Sequence, residues 1–291
     1  MGTKRFLTAS ILSIAIAIPA IAQFNIDDDV SDFGLWTSVG LEKKINKKWS
    51  AEFEGELRTA DALNEVSRYS FGISTSYKIC SWLKADAGYT LLRDYTRANS
   101  SLQWKEDEDD ISYYEIDNEE DFWRTRHRFN ISFTGSLKLG RFKISLRERW
   151  QYTYQPEITI SQTETDVTRY NIEDWEWAKE MMGLIEYDGY LWQISDEGKV
   201  KEKAKRGKGS NVLRSRLEAS YDIKSVPFEP YLSCEMYHDD GGIKKTRYTI
   251  GGDYKIAKKH SIGLYYRYQD FSGSDEGESV HILGVRYKFK F

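Results

Sequence analysis

Along residues 280–291 the side chains change character at every step. His281, Leu283, Val285, Tyr287, Phe289 and Phe291 share one side of an extended segment, and Val280, Ile282, Gly284, Arg286, Lys288 and Lys290 share the other. Strict period two marks a β-strand. From Leu283 onward one face is apolar and aromatic and the opposite face carries three cations, so one side meets an oily medium and the other meets water.

The same alternation recurs along the chain, and it predicts strands at 33–43, 49–58, 68–79, 83–91, 123–139, 142–154, 213–223, 228–237, 246–256 and 261–269 as well. In the first, Phe33, Leu35, Thr37, Val39 and Leu41 form the oily face; in the second, Phe53 and Leu57 alternate with Glu52, Glu54, Glu56 and Arg58. At 142–154, Lys143, Arg147, Arg149 and Gln151 oppose Phe142, Ile144, Leu146, Trp150 and Tyr152. Glu148 breaks the oily face, which calls for a local partner or a place near an interface.

Tight turns at Asn46–Lys47, Cys80–Ser81 and Gly140 alternate with long connections at 93–121 and 155–210. Segments such as KKINKKWSAEFEG, YKICSWLKADAG and YKIAKKHSIGLY repeat one turn grammar, so the unit is a hairpin. Short turns at one end and long loops at the other are the pattern of a transmembrane barrel with periplasmic turns and external loops. The fold expected is all-β, a single antiparallel up-and-down transmembrane β-barrel. Eleven regular strands would run the first and last in the same direction. About twelve are therefore expected, with 24–30 as a short polar extra strand, or ten if the first segment is not a strand. The 155–210 stretch is expected to be irregular apart from a small hairpin at Tyr187-Asp-Gly-Tyr190.

Composition agrees. Past residue 22 no apolar run is long enough for a membrane helix, and the mean hydropathy is −0.64. Barrels escape that criterion because half of each strand faces the lumen. Aromatic residues make up 14% of the 291, as girdles at both interfaces require. A net charge of −4 gives no general attraction to nucleic acid. Residues 1–22, with Lys4 and Arg5 before an apolar stretch and Ala20-Ile21-Ala22 before Gln23, read as a cleaved secretory signal peptide, leaving 23–291 as the barrel. Cys80 and Cys234 sit in unlike settings and are expected as two unpaired thiols, with a disulfide as the alternative.

If oily faces meet lipid, the polar faces line a charged lumen. Glu52, Glu54, Glu56 and Asp86 lie on early strands, and Arg124, Arg126, Arg128, Arg147, Arg149, Arg214 and Arg216 lie on three consecutive later ones. Two arrangements follow: a plug of Arg–carboxylate pairs, or an Arg wall that attracts anions. Weaker candidates are the acidic run 106–110 as a divalent-cation loop, the basic run 199–208 against lipopolysaccharide phosphates, and Trp175, Trp177 and Trp192 as a glycan contact. For each, an ordinary solvated or self-packed loop is the simpler reading. His127 and His281 project outward, and His238 and His260 lie by turns. No spacing marks a triad, so no catalytic residue, cofactor or metal site is expected.

Taken together, residues 32–58, 68–89, the run WRTRHRF at 123–129 and HILGVRYKFKF at 281–291 resemble a family of outer-membrane barrels of unknown function found mainly in Bacteroidota. The terminal aromatic Phe291 resembles the assembly signal of such barrels. The resemblance implies a Gram-negative outer-membrane location, with barrel assembly machinery, membrane lipid and lipopolysaccharide as partners. A monomer is expected. The expected role is a small-solute channel, transport or structural barrel; adhesion or ligand binding through external loops is the alternative, and a barrel lipase or deacylase a more distant one. The 156–210 insertion is expected to be particular to this chain.

Overall fold

The computed structural model describes residues 33–61, 63–106, 112–171, 179–182, 184–187, 190–194, 198–239, 241–271 and 279–291. The expected signal peptide at 1–22, the expected strand at 24–30, most of the acidic run 106–110, and Trp175 and Trp177 lie outside them.

The described residues form seventeen strands: β1 (Phe33–Lys44), β2 (Trp49–Ala60), β3 (Glu65–Lys78), β4 (Leu83–Thr96), β5 (Asn99–Glu106), β6 (Ser112–Glu119), β7 (Phe122–Leu139), β8 (Phe142–Gln155), β9 (Ile158–Asn171), β10 (Ile185–Tyr187), β11 (Tyr190–Ile194), β12 (Lys199–Lys205), β13 (Lys208–Tyr221), β14 (Phe228–Asp239), β15 (Gly242–Ala257), β16 (His260–Phe271) and β17 (Val280–Lys290). A single helical turn covers Lys179–Met182. The chain divides into two compact units, one of residues 1–90, 129–152 and 211–291, the other of 91–128 and 153–210.

All eleven expected strands are present and close a ring in the order β1-β17-β16-β15-β14-β13-β8-β7-β4-β3-β2. The number falls between the expected twelve and ten. Closure comes from a parallel pair: β1 and β17 run side by side from Phe33 opposite His281 to Glu42 opposite Lys290. A parallel ladder satisfies backbone N–H and C=O groups as an antiparallel one does, so an odd count leaves no open edge.

The tight turns have local causes. Asn46 Oδ1 accepts from the backbone N–H of Lys48 and of Trp49, both at 2.8 Å, which reverses the chain between β1 and β2. Gly140, with φ of +61°, supplies the left-handed residue between β7 and β8. On the outer face, Phe53, Phe71, Ile73, Phe133, Leu146, Leu217, Leu232, Ile250 and Leu264 are all exposed, Ile250 at 64%. The oily stripes are therefore not packed against another layer of this chain. Glu148, the exception on that face, accepts from Ser215 Oγ on the neighbouring strand at 2.7 Å, the local partner its position called for. On β17, Gly284 lies opposite Tyr265, and a Cβ there would overlap the tyrosine ring, so the ring lies over bare backbone. Cys80 and Cys234 are unpaired thiols.

The connections 93–121 and 155–210, expected to be irregular, contain β5, β6 and β9–β12. They form a six-stranded sheet in the order β10-β11-β9-β6-β5, with β12 also paired to β9. The expected hairpin is there, with Tyr187 opposite Tyr190, and Trp192 takes its place in β11. The remaining strands escape a period-two reading because polar residues occupy both faces for much of their length. Lys199, Lys201, Lys203 and Lys205 alternate along β12, and Lys199 pairs with Asp166, Lys201 with Glu164, and Lys203 and Lys205 with Glu119. The basic run is thus an ion-paired strand rather than a free cationic segment. Ile160, Val167, Leu184 and Leu191 supply the buried apolar side chains of this unit.

Candidate functional site

Because β-strand side chains alternate, every second residue of the ring points into the barrel. These inward residues assemble two features in the barrel unit.

The first is a dense layer around Glu235 and two aromatic rings. Glu235, on β14, accepts from Arg147 at 2.6 Å and from Arg214 at 3.0 Å, and Tyr237 O–H donates to it at 3.2 Å. Arg214 also donates to Gln151 Oε1 at 3.1 Å. Arg247 donates to the Tyr237 hydroxyl and, through Nε, to Gln269 Oε1 at 2.6 Å. The Tyr237 ring collects Arg214, Lys245 and Arg247 at 4.5, 4.6 and 4.7 Å. Trp36 does the same for Arg58, Arg267 and Arg247 at 3.6, 5.0 and 5.1 Å. Cations outnumber carboxylates here, and the π faces of two buried rings supply the missing negative potential. Glu56 joins through Arg58 at 2.6 Å. Such a layer contains the Arg–carboxylate pairs expected of one of the two arrangements, with aromatic rings added.

The second feature is a cavity of about 840 Å³ among the inward residues nearest the short turns, bounded by Lys78, Trp82 and Lys290 at that end. Its wall holds ten Lys and Arg against six Asp and Glu. Several are paired: Arg286 with Asp253 at 2.8 Å, Lys288 with Glu52 at 2.9 Å and with Glu42 at 3.0 Å, Lys84 with Asp86 at 2.7 Å, and Arg216 with Glu218. Along the adjacent strands β8 and β13, the Nε atoms of Arg147, Arg149, Arg214 and Arg216 are buried without an acceptor among the described residues. Buried N–H groups are nearly always satisfied, so this wall has spare donor capacity.

The predicted residues divide accordingly. Glu52, Glu54, Asp86, Arg147, Arg149 and Arg216 line the cavity, while Glu56 and Arg214 belong to the closed layer. Arg124, Arg126 and Arg128 do not join them. They fall in the other unit, where Arg124 donates to the carbonyls of Pro156 and Arg206 at 2.9 and 3.1 Å, Arg126 pairs with Asp94 at 3.2 Å, and Arg128 meets Thr153 Oγ1 at 3.4 Å. β7 matches the expected strand at 123–139 to within one residue, and its first residues, up to Arg128, belong to the second compact unit.

Trp36, Glu235, Tyr237, Arg247 and Arg267 were missed. Trp36 carried a signal, being the aromatic residue on the polar side of the first strand; the others required the register. Phe291 is exposed, its ring 5.7 Å from Phe289, and its backbone N–H donates to the Glu42 carbonyl at 3.0 Å. His281 bonds through Nδ1 with Tyr266 O–H at 2.6 Å, and His127 lies 6.4 Å from the Tyr154 ring. No helix among the described residues is long and apolar enough to cross a membrane.

Residues 33–279 match a family described as "Protein of unknown function (DUF2490)". No curated protein matches. Among solved structures, the translocator domain of the autotransporter NalP from Neisseria meningitidis is similar over 99% of this chain and 98% of that one, at 11% identity and a TM-score of 0.32. The CymD monoaromatic hydrocarbon channel is similar over 82% of each chain, at 8% identity and a TM-score of 0.31.

Proposed function

The chain belongs to the DUF2490 family, and we propose that it is an outer-membrane β-barrel whose cation-rich lumen takes in small anionic solutes. The membrane location is supported by the exposed oily face that recurs around the ring, which water would penalise and hydrocarbon would accept. Export would follow from the leader at 1–22, and assembly would fall to the barrel machinery. Membrane lipid and lipopolysaccharide are its surroundings, and it works as a monomer. No catalytic role is included.

The observation that carries the anion reading is the arginine wall. Arg147, Arg149 and Arg216 face a cavity with excess positive charge, and their Nε–H groups lack acceptors among the described residues. A carboxylate or phosphate oxygen offers the planar, charge-assisted acceptor that guanidinium groups fit. The layer around Glu235, Tyr237 and Trp36 restricts passage, so solute transfer requires that layer to part.

Planar-bilayer recording across a KCl gradient tests this. The expected result is a reversal potential set by chloride, moving toward zero when Arg147, Arg149 and Arg216 are all replaced by Gln, with larger currents in Tyr237→Ala. Cation selectivity, or silence in both the wild type and Tyr237→Ala, would overturn the proposal.

A second reading, ligand capture by residues 91–128 and 153–210, is favoured by one observation. Those residues build an ordered six-stranded sheet with buried polar groups instead of irregular loops.

A further inference from the structure

In the unit of residues 91–128 and 153–210, β6 and β9 run antiparallel with Asp117 opposite Glu164 and Glu115 opposite Asp166. Residues directly opposite share a face of the sheet, and so do residues two apart on one strand. The register therefore gathers acidic side chains on one face. Carboxylate oxygens of Glu115, Asp117 and Glu164 lie within 4.8 Å of one another.

Sheets do not ordinarily pack like charges this way. Carboxylates directly opposite repel, and removing them from water adds a cost that only counter-charge or hydrogen bonding offsets. Glu115 is 8% exposed and Asp117 4%. Lys201 pairs with Glu164 and Gln103 Nε2 donates to Asp117 Oδ2 at 3.1 Å, which answers part of the demand. The other oxygen, Asp117 Oδ1, is buried and has no hydrogen-bond partner among the described residues. A carboxylate oxygen held out of water with nothing donating to it, beside two further carboxylates, is what a cation site requires.

We infer that Glu115, Asp117 and Glu164 form a binding site for a divalent cation of the calcium class. Oxygens within 4.8 Å of one another are close enough to share one ion. Calcium accepts six to eight oxygens at roughly 2.3–2.6 Å in irregular geometry, which suits carboxylates fixed by a sheet register better than the strict octahedron of magnesium. Three carboxylates from two paired strands supply hard, charged ligands, and backbone oxygens and water complete a shell of six to eight. Bound calcium would tie β6 to β9 at the centre of the sheet. Lys201 acts as a competitor, because its ammonium group occupies the Glu164 carboxylate that the ion needs. This site is independent of the lumen reading and stands or falls separately from it.

The test is calorimetric titration of the full-length protein in detergent, stripped with EDTA, against calcium chloride and magnesium chloride in turn. One calcium per chain is expected, with magnesium at least tenfold weaker. Asp117→Asn and Glu115→Gln should each weaken calcium at least tenfold, and Lys201→Gln should tighten it several-fold, a gain that a purely structural role for these residues does not produce. No calcium uptake by the wild type, or uptake unchanged in both carboxylate variants, would overturn the inference. Should a carboxylate variant fail to fold, the wild-type titration and Lys201→Gln decide, and unchanged affinity in Lys201→Gln would count against the site.

Discussion

Val39 on the first strand of the ring lies opposite Tyr287 on the last, and the two strands run in the same direction. The pairing is the seam of the barrel. It follows from having an odd number of strands, eleven, in a closed ring whose other neighbours pair antiparallel. Both side chains belong to the outward set, so the seam carries the oily face across without a break.

The seam can be trapped chemically. In a background with Cys80→Ser and Cys234→Ser, Val39→Cys combined with Tyr287→Cys should oxidise to an intramolecular disulfide in high yield, seen as altered mobility on non-reducing gels. Shifting one partner to Gly40→Cys turns that side chain to the other face and should abolish the bridge. Equal yields from the two pairs would mean that the register is not the one described.

Glu235 is the shared acceptor of Arg147 and Arg214. Replacing it with Gln leaves two buried guanidinium groups without their counter-charge, a change that typically costs about 3–5 kcal/mol. Urea unfolding of Glu235→Gln in detergent or lipid, followed by tryptophan fluorescence, should show a loss of that order. Glu148→Gln, on the outward side, should change stability far less. Equal effects would remove Glu235 from the centre of the interior layer.

Acid should loosen the second sheet at one identifiable point. The hydrogen bond from Lys205, with a second from Lys203, holds the Glu119 carboxyl below its ordinary value of 4.5 against the opposing cost of burial. A carboxylate whose folded pKa is depressed adds stability above its unfolded value and loses it as pH falls through the folded one. Amide exchange along β12, corrected for the intrinsic rate, should therefore be slow at neutral pH and accelerate below about pH 4.5. In Glu119→Gln the acceleration should be largely absent and the amides faster throughout. Identical pH profiles would show that the pair does not hold the strand.

The regular strands were legible because a barrel with an oily outer face and a polar interior imposes a simple rule on each one alone. Phe53 between Glu52 and Glu54, or Leu146 between Ser145 and Arg147, announces its face without knowledge of any other strand. Where both faces are polar the rule gives no signal, which is why β9 and β12 read as loop. Glu164 and Lys201 declare themselves only when seen paired. The strand number resisted for a related reason, since assuming antiparallel closure led toward ten or twelve.

The lumen shows the same limit. Arg124, Arg126 and Arg128 have the alternation of lumen residues, but their partners Pro156, Asp94 and Thr153 could not be read from it. Glu235, Tyr237 and Arg247 come from the paired strands β14 and β15, but Trp36 is on β1, and nothing local ties it to them.

By itself, the order of residues determined that this chain makes strands, which side of each is oily, where it turns, and that its interior is charged. Those properties are set by each residue and its near neighbours, through strand periodicity and turn chemistry. The tertiary structure alone decided how many strands close the ring, which cations meet which carboxylates, and that Glu115, Asp117 and Glu164 converge. Register and closure depend on which distant strands become neighbours, and a shift of one residue in that pairing would rewrite every contact while leaving the sequence pattern unchanged.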